Sequence, residues 1–248
     1  MRTAIVIPAR LAATRLPDKP LALIGGRPLV VRTLLQAQKC RGVDTVIVAT
    51  DSPAIFTAVR SHGGTAMMTR ADHASGTDRV AEVVHAIDAE LVVNLQGDEP
   101  FVNPRDLETI IAGLKRDVTG LVTLRAPIGN TADFASPNVV KVVVNADDLA
   151  LYFSRAPIPF ERQQRGDLTG VWRHVGVYGY RREALFELAE TSPQPLEIRE
   201  GLEQLRALTL GIPILVLPAE TLARGIDTAE DLAWARARYE ELGEAAFP

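Results

Sequence analysis

The sequence predicts an α/β fold, a Rossmann-like arrangement of three layers with a mostly parallel central sheet and a small antiparallel elaboration. Short apolar runs alternate with helical patterns in units of ~30 residues, which indicates right-handed crossovers between parallel strands. Residues that favour turns separate these runs. Two short strands in the second half of the chain are spaced as a hairpin, and this hairpin predicts the antiparallel part.

Size and composition favour a globular protein. Its 248 residues are 47% hydrophobic and carry a net charge of −4, so the core is ample and no basic field attracts nucleic acid. The single cysteine, Cys40, cannot form an internal disulfide and is expected to be a small core residue. Arg10 and Arg15 interrupt the first apolar run, and no run approaches the ~20 residues of a membrane span. We therefore expect a cytoplasmic protein without membrane or nucleic-acid partners.

The chain opens with a buried strand that leads into a basic loop. The apolar residues 5–7 are followed by Arg10, Arg15 and Lys19. Ligands of open α/β sheets bind outside the carboxyl ends of the strands, and three cations there would suit a triphosphate. A solvated basic turn is the alternative, and charge alone favours it.

The next elements follow the strand-helix rhythm. A turn at 25–28 precedes a predicted helix at 29–38, and an apolar strand at 45–51 precedes a second helix at 54–62. Neither a Gly-x-Gly-x-x-Gly fingerprint nor a P-loop is present, so these two kinds of nucleotide site are excluded.

A polar loop at 69–79 leads into a predicted helix at 80–87. Its small residues Ser75 and Gly76 let a flat ring approach the backbone, and Thr77 is a possible helix cap. A well-capped helix start is the plain alternative.

The predicted strand at 91–95 delivers Asp98 to the edge of the sheet. Gly97 leaves room there, and Pro100 prevents the strand from continuing. Because Mg²⁺ is typically held by one or two carboxylates and substrate phosphates, Asp98 is a candidate ligand, with Glu99 outside its coordination shell. A turn cap is the structural alternative.

A smaller lobe is expected at 139–180. A helix at 104–115 and a strand at 120–126 precede it. Strands at 139–144 and 149–155 then form the predicted hairpin. The hairpin ends at Arg155, which on sequence alone could be a surface arginine.

A strand at 173–180 alternates so that polar side chains and a glycine share one face. These are His174, Gly176, Tyr178 and Tyr180. Such a face describes a pocket wall better than a core, although an isolated histidine in a strand is most often only hydrogen-bonded structure.

An amphipathic helix is predicted at 195–208, followed by an edge strand at 212–217 and a last helix. The buried stripe of the helix at 195–208 would consist of Ile198, Leu202, Leu205 and Leu208. Glu200, Glu203 and Gln204 would lie on an adjoining face of this helix. Thr228 and Asp231 are spaced as a capping box at the start of the last helix, and Asp227 can belong to that cap.

Several of these motifs resemble the sugar-acid cytidylyltransferases, and among them those that use 3-deoxy-manno-octulosonate (KDO). The similar motifs occur in the family's order along nearly the whole chain: Pro8-Ala9-Arg10, Thr14-Arg15-Leu16-Pro17, Lys19-Pro20-Leu21, Ser75-Gly76-Thr77 with Arg79, Gln96-Gly97-Asp98 with Pro100, Tyr152-Phe153-Ser154-Arg155, Arg173-His174 with Tyr178-Gly179-Tyr180, Leu202-Glu203-Gln204-Leu205-Arg206 and Ile226-Asp227-Thr228. One departure is Ala223-Arg224, where the family has a small Gly-Thr pair. Arg224 could pair with Asp227 or contact an anion.

The resemblance implies a nucleotidyltransferase fold and a reaction. CMP passes from CTP to the anomeric 2-hydroxyl of KDO, pyrophosphate is released, and CMP-KDO serves lipopolysaccharide biosynthesis. It also implies one cytidylyltransferase domain over 1–248, a homodimer, and a role for the lobe at 139–180 in sugar binding and dimerisation.

The resemblance implies roles for individual residues as well. Arg10, Arg15 and Lys19 would cradle the triphosphate, and Asp98 and Asp227 would bind Mg²⁺, so these five are the catalytic candidates. Ser75 and Gly76 belong to the loop that would discriminate cytosine. The candidates for binding and orienting the sugar are Arg79, Gln96, Arg155, His174, Tyr178, Glu203 and Gln204.

Two other functions stay open. The substrate could be another acidic sugar, such as an amino-KDO, although the Arg-x-x-x-x-Arg-Leu-Pro loop argues against a sialic acid. The chain could also be a non-catalytic nucleotide-binding module, because a fold does not fix a function. A glycosyltransferase is disfavoured, since it would carry Asp-x-Asp where this chain has Gln96-Gly97-Asp98.

Overall fold

The computed structural model describes residues 1–11, 16–116, 120–163 and 166–247. The chain forms two compact units. Unit 1 consists of Met1–Ile111 and Ala223–Pro248, and unit 2 consists of Ala112–Leu222. The lobe expected at 139–180 lies within unit 2.

The strands and helices are numbered in chain order. Strands β1 to β11 span Thr3–Ala9, Leu23–Ile24, Arg27–Pro28, Thr45–Thr50, Thr65–Met68, Leu91–Asn94, Leu121–Pro127, Lys141–Val144, Ala150–Ser154, Trp172–Arg181 and Ile214–Pro218. Helices α1 to α9 span Leu29–Ala37, Pro53–Ser61, Gly76–His85, Pro104–Leu114, Thr131–Ala135, Arg182–Glu190, Pro195–Glu200, Gln204–Thr209 and Ala229–Leu242.

Unit 1 is built on a parallel sheet, as the alternating pattern predicts. Strand β1 pairs in parallel with β4 on one side and β6 on the other, and β5 adds in parallel to β4. Ile5, Val6 and Ile7 are fully buried. A strand that is covered on both faces is continuously apolar rather than alternating, which explains why this run is so clear in the sequence.

Helix α3 begins earlier than the sequence analysis expects. Ser75, not Thr77, is the N-cap: its hydroxyl accepts from the Asp78 N–H at 3.1 Å, and the Asp78 carboxylate accepts from the Ser75 N–H at 3.0 Å. This reciprocal pair is a capping box, and it satisfies two otherwise unpaired donors. The predicted cap at Thr77 is therefore wrong, and the helix starts within the polar loop itself.

The last helix starts as predicted. Thr228 caps α9 by accepting from the Asp231 N–H at 3.1 Å, and Asp231 accepts from the Thr228 N–H at 3.0 Å. The capping box fixes the backbone just before the helix, which is where Asp227 lies.

Unit 2 carries the antiparallel part. Strand β7 pairs in parallel with β11 and antiparallel with β10, and β10 pairs antiparallel with β8. The predicted hairpin is β8 with β9, and Asp148 adopts the left-handed region at φ 61° in its turn. The register of β10 against β7 shifts between Val175 and Tyr178, so the alternation predicted for this strand is interrupted by a bulge.

The helix predicted at 195–208 is wrong, because two short helices occupy this segment. Helix α7 ends at Gly201, which adopts the left-handed conformation at φ 61° and ψ 43°, and α8 begins at Gln204. Leu202 and Leu205 are buried as expected, but Ile198 is 69% exposed. The break turns the Ile198 side of the predicted stripe out of the core.

Two smaller expectations concern Cys40 and membrane segments. Cys40 is buried, as predicted. Within the described ranges, every helix is too short or too polar to cross a membrane.

Candidate functional site

Lys19 lies between two aspartates that are far apart in the sequence. Its Nζ donates to Asp98 Oδ2 at 2.5 Å and to Asp227 Oδ1 at 3.0 Å. The Lys19 side chain is 14% exposed, whereas those of Asp98 and Asp227 are 27% and 49% exposed. The three charged groups predicted to converge therefore do so at a partly open site of unit 1.

Backbone contacts bring the two aspartates together. Asp98 follows β6, and its carbonyl accepts from the Ile226 N–H at 2.9 Å. The Asp227 N–H donates to Asp231 Oδ2 at 3.2 Å, so the cap of α9 fixes the other side. Gly97 allows a close approach, because a Cβ there would lie 3.1 Å from the Pro8 carbonyl oxygen.

The electrostatics of this cluster keep Lys19 charged. Burial lowers the pKa of Lys19, but Asp98 and Asp227 outweigh it and raise the pKa above its usual value of 10.5. Glu99 behaves in the opposite way: its burial, followed by the charges of Asp98 and Asp227, raises the pKa of Glu99 to about 8. The site thus holds a fixed cation, two aspartates and a carboxyl group that favours its protonated form near neutral pH.

The donor set of the cluster limits which cation it could hold. In the part of the chain that the structure describes, no group of three His, Cys, Asp or Glu side chains could hold a metal by itself. Two aspartate carboxylates are hard oxygen donors, and Mg²⁺ commonly takes one or two protein carboxylates and completes its shell with water and phosphate oxygens. The residues present fit Mg²⁺ that arrives with a phosphorylated ligand.

Arg224, the departure from the family pattern, pairs with Asp231. Its Nη2 lies 2.7 Å from Asp231 Oδ1, and its guanidinium lies 4.6 Å from the centre of the Trp234 ring. Burial raises the pKa of Asp231, but the hydrogen bonds from Arg224 and Thr228 outweigh burial and lower the pKa to about 2. Arg224 therefore supports the cap that precedes α9.

Unit 1 also contains a cavity of about 120 Å³ at the carboxyl end of β1. Its lining combines small or apolar residues with polar and charged side chains: Pro8, Ala9, Arg10, His73, Ser75, Gly76, Arg79 and Gln96. An apolar cavity of about 150 Å³ binds benzene, so this cavity, at about 120 Å³, is somewhat smaller and on the scale of one small ring. The glycine matters for the shape, because a Cβ at Gly76 would lie 3.5 Å from Pro8 and 3.6 Å from the Gln96 amide.

Arg79 is a fixed part of this wall. It is 3% exposed, its Nη1 donates to Thr69 Oγ1 at 2.5 Å, and the same atom lies 3.4 Å from Asp51 Oδ1. Gln96 donates from Nε2 to Asn94 Oδ1 at 3.2 Å. These contacts orient both side chains before any ligand binds.

Unit 2 carries a polar wall on β10. The rings of His174 and Tyr178 lie 5.2 Å apart, and that of Tyr180 follows at 6.1 Å from Tyr178. Burial lowers the pKa of His174 to about 3, so its imidazole is neutral, and its Nε2 lies 2.9 Å from Thr123 Oγ1. Because the Thr123 hydroxyl lies 2.8 Å from the Val177 carbonyl and donates its proton there, His174 is the donor to Thr123 and its Nδ1 is an acceptor.

Two polar groups near this wall are buried without a hydrogen-bond partner among the described residues. They are the hydroxyl of Tyr178 and the Nε2 of Gln204. Burial, then Tyr180 and Glu203, raises the pKa of Tyr178 well above 10.0, which places the carboxylate of Glu203 near the phenol. Unpaired buried donors are costly and are typical of sites that a polar ligand completes.

Arg155 holds the start of the α7 to α8 connection. Its Nε donates to the Glu200 carbonyl at 2.7 Å, its Nη1 to the Pro137 carbonyl at 2.9 Å and its Nη2 to the Gly201 carbonyl at 3.3 Å. Its backbone N–H donates to the Glu200 carboxylate at 2.9 Å. Arg155 therefore fixes the backbone that leads to Glu203 and Gln204.

Residues 4–214 match the family described as Cytidylyltransferase. The chain belongs to the cytidylyltransferase family. Within it, proteins named 3-deoxy-manno-octulosonate cytidylyltransferase are similar over nearly the full length. One from Syntrophotalea carbinolica is 44% identical and covers 98% of this chain and 100% of its own, and one from Escherichia coli is 43% identical and covers 99% of each.

Solved structures agree with this membership. A CMP:2-keto-3-deoxy-manno-octonic acid synthetase in complex with CTP is 42% identical, covers 97% of this chain and 99% of its own, and superposes with a TM-score of 0.92. A cytidylyltransferase from Leptospira borgpetersenii, 17% identical with a TM-score of 0.66, shares the fold. These structures confirm the predicted nucleotidyltransferase fold.

The predicted site residues of this cytidylyltransferase fall into separate groups. Lys19, Asp98 and Asp227 form the charged cluster, and Arg15 lies outside the described residues. The cavity collects five more: Arg10, Ser75, Gly76, Arg79 and Gln96. The polar wall in unit 2 includes His174 and Tyr178, with Glu203 and Gln204 on the connection that Arg155 holds. Their functional roles stay predictions.

Sequence reasoning overlooked three residues of these sites. Thr123 orients His174 from the neighbouring strand, and no motif marks a lone threonine in an apolar strand. Glu82 of α3 accepts a hydrogen bond from Nε2 of His73, but in the sequence it has the pattern of an ordinary helix carboxylate. His73 lines the cavity. Its position in the polar loop at 69–79, two residues before Ser75, could have indicated this.

Proposed function

We propose that this cytidylyltransferase transfers CMP from CTP to the anomeric 2-hydroxyl of KDO and releases pyrophosphate. A new bond forms between the sugar oxygen and the α-phosphorus, and the bond from that phosphorus to the β-phosphate oxygen breaks. The proton of the hydroxyl leaves to solvent, and pyrophosphate leaves with the bonding electron pair. The product, CMP-KDO, is a phosphodiester.

The observation that carries the proposal is the convergence of Lys19 with Asp98 and Asp227 in a chain that matches the KDO-specific relatives from end to end. Phosphoryl-type transfer needs little covalent chemistry from the protein, because alignment and charge stabilisation supply most of the rate. A permanently charged ammonium beside two carboxylates is suited to that task.

The residues of unit 1 would bind and orient CTP. The cavity is on the scale of one small ring, and Ser75 and Gly76 would offer polar groups to the base. Gln96, which the resemblance assigns to the sugar, lines the same cavity. Arg10, at the end of β1, and Lys19 supply positive charge for the triphosphate, and Lys19 stabilises charge on the departing pyrophosphate. Arg15 is assigned to the same cradle by sequence alone.

The two aspartates would hold Mg²⁺. Bound there with the triphosphate, the ion would lower the pKa of the attacking hydroxyl and neutralise charge on the phosphate oxygens. The protein's own contribution is to hold Asp98 and Asp227 in place through the Ile226 N–H bond and the α9 cap.

The polar wall of unit 2 would bind the sugar. A sugar hydroxyl can pair with the Tyr178 hydroxyl and the Gln204 amide, whose buried donors have no hydrogen-bond partner among the residues that the structure describes. The neutral imidazole of His174 offers its Nδ1 as an acceptor, and Glu203 offers its carboxylate. Satisfying buried polar groups on binding is the arrangement that rejects ligands without the matching hydroxyl.

Other expectations from the sequence accompany this proposal. We propose a homodimer, a cytoplasmic location and a place in lipopolysaccharide biosynthesis. The exposed Phe160 and Ile198, 77% and 69% exposed in unit 2, are compatible with a partner surface.

A pyrophosphate-release assay tests the function. CTP and Mg²⁺ are supplied with KDO, an amino-KDO, a sialic acid or no sugar, and UTP replaces CTP in a parallel series. The proposal predicts release with CTP and KDO above every other combination. Faster release with the amino sugar would reassign the substrate, and no release with any sugar acid would leave only a nucleotide-binding role.

A further inference from the structure

Glu82 of α3 holds the loop that forms one wall of the cavity. Its carboxylate accepts from the Arg70 N–H at 3.1 Å and from Nε2 of His73. Partial burial raises the pKa of Glu82, but the hydrogen bonds from His73 and Arg70 bring it below its usual value of 4.5, so the carboxylate stays charged. One side chain thus fixes the loop at two points.

His73 carries this anchoring into the cavity. Its side chain is only 4% exposed, while that of Glu82 is 33% exposed, and His73 lines the cavity with Ser75 and Gly76. The imidazole of His73 therefore donates from Nε2 to Glu82 and also forms part of the cavity wall. Without Glu82, the imidazole would lose the hydrogen bond that fixes its orientation in that wall.

A second bond from the same helix face holds the start of the loop. Arg79 and Glu82 are three residues apart and thus neighbours on α3. Arg79 binds Thr69 Oγ1 at 2.5 Å, and the Thr69 N–H donates to the Thr50 carbonyl at 2.9 Å. The beginning of the loop is therefore tied to the sheet and to α3, and the Glu82 bond to His73 completes the wall near Ser75.

We propose that His73 and Glu82 form a clasp that positions the cavity wall for the base of the nucleotide, so that both residues contribute to the affinity for CTP. This inference rests on the proposed function in taking CTP as the ligand. Glu82 acts through His73 and the loop, and is a positioning residue.

The test measures CTP binding by calorimetry and steady-state kinetics with CTP and KDO. Glu82→Ala removes the clasp and is expected to raise the Kd for CTP about tenfold, because the loop loses its hydrogen bonds from Arg70 and His73 to a charged group. Glu82→Gln keeps an acceptor oxygen and is expected to recover most of that affinity. The KM for KDO is expected to change less than twofold in both.

A double-mutant cycle shows whether the pair acts as a unit. His73→Ala alone is expected to weaken CTP binding, and adding Glu82→Ala in that background is expected to cost less than it does in the wild type. Fully additive effects would overturn the clasp. If Glu82→Ala does not fold, the Kd values of Glu82→Gln and His73→Ala for CTP still decide the outcome. Thermal unfolding curves show whether these two variants are folded.

Glu108→Ala is the matched control. Glu108 also accepts from a backbone N–H and from a side chain, both of Arg41, at 3.1 and 2.9 Å, but it lies on α4 away from the cavity lining. It is expected to leave the Kd for CTP unchanged. Equal CTP affinity in the wild type and Glu82→Ala would overturn the clasp, whereas weakened CTP binding without turnover of any sugar acid would support the clasp and overturn the proposed function.

Discussion

At the scale of single residues, Asp98 is the carboxylate on which the proposed reaction depends most. It is bonded to Lys19 at 2.5 Å and its carbonyl anchors Ile226. Asp98→Asn keeps the shape and the backbone bond but removes the charge, so kcat is expected to fall about a hundredfold or more while the thermal unfolding temperature hardly changes.

The control for this substitution is Asp88→Asn. Asp88 is 80% exposed and pairs with Arg2 at 3.1 Å, and surface pairs of this kind contribute little to stability. Its kcat is expected to equal that of the wild type. An undiminished kcat in Asp98→Asn would return Asp98 to the role of a turn residue.

Within the described part of the chain, the buried hydroxyl of Tyr178 has no hydrogen-bond partner. The effect of this hydroxyl on stability can therefore be measured separately from its effect on binding. Tyr178→Phe is expected to leave the free energy of unfolding unchanged or higher, because an unpaired buried polar group is removed. The KM for KDO is expected to rise about fivefold, the value of one neutral hydrogen bond, with the KM for CTP unchanged. The check is to compare the kinetics of Tyr178→Phe with those of a control, Tyr152→Phe, in which a tyrosine of β9 is changed. Equal KM values for KDO in the two variants would show that Tyr178 is not part of the sugar site.

His174 predicts a pH dependence of stability. Its pKa is about 3 in the folded protein, against the usual 6.5, so below pH 6.5 the unfolded chain takes up a proton that the folded chain does not. The stabilisation is present above pH 6.5 and is lost as the pH falls toward 3.

Urea unfolding measures this effect. Between pH 7 and pH 5.5, the free energy of unfolding of the wild type is expected to fall by about 1 kcal/mol more than that of His174→Gln. Equal losses in the two proteins would mean that the imidazole is accessible to protons in the folded state.

At the scale of elements, the break between α7 and α8 determines where Glu203 and Gln204 lie. Gly201 has φ 61°, a backbone conformation in which a residue with a Cβ costs about 1 kcal/mol. Space is not the obstacle, because a Cβ built at Gly201 would lie 3.9 Å from Arg155 Nη2, at ordinary contact distance. Gly201→Ala is therefore expected to lower stability by about 1 kcal/mol and to raise the KM for KDO. The control is Gly129→Ala. At Gly129 φ is not positive, and a Cβ there would meet no atom of the described residues within 4 Å. The free energy of unfolding of this variant is expected to stay within about 0.5 kcal/mol of that of the wild type. Similar unfolding curves for the two variants would contradict the strain at Gly201.

The same break shows what the sequence could not predict. Apolar residues continue at helical spacing through Leu202 and Leu205, so periodicity predicts one helix, while the left-handed backbone of Gly201 is a local preference that periodicity does not register. Strand β5 was overlooked for a related reason: it is short and only partly buried, so it lacks the apolar run that made β1 and β6 evident.

At the scale of the whole molecule, the sequence predicted the fold better than the geometry of the site. Parallel strands with buried faces produce clear apolar runs, whereas the approach of Asp227 to Asp98 depends on one tertiary hydrogen bond from Ile226. Only the resemblance to a family placed these two carboxylates together in advance. The contacts of Arg224 and Glu82 were beyond both kinds of reasoning, because each depends on side-chain placement across separate elements.

The chain divides its polar groups between the two units. The charged cluster and the cavity belong to unit 1, and the wall with His174 and Tyr178 belongs to unit 2. A reaction that joins a nucleotide to a sugar acid needs a binding site for each. Substitutions of Lys19, Ser75 or Gly76 are accordingly expected to affect CTP, and substitutions at the wall are expected to affect KDO.

Phosphorus NMR of the complete reaction tests cytidylyl transfer most directly. With CTP, KDO and Mg²⁺, the account predicts that the resonances of CTP are replaced by those of one phosphodiester and one pyrophosphate in equal amounts, and that Asp98→Asn slows this conversion drastically. Formation of CDP and inorganic phosphate, or of free CMP with pyrophosphate and no phosphodiester, would contradict it.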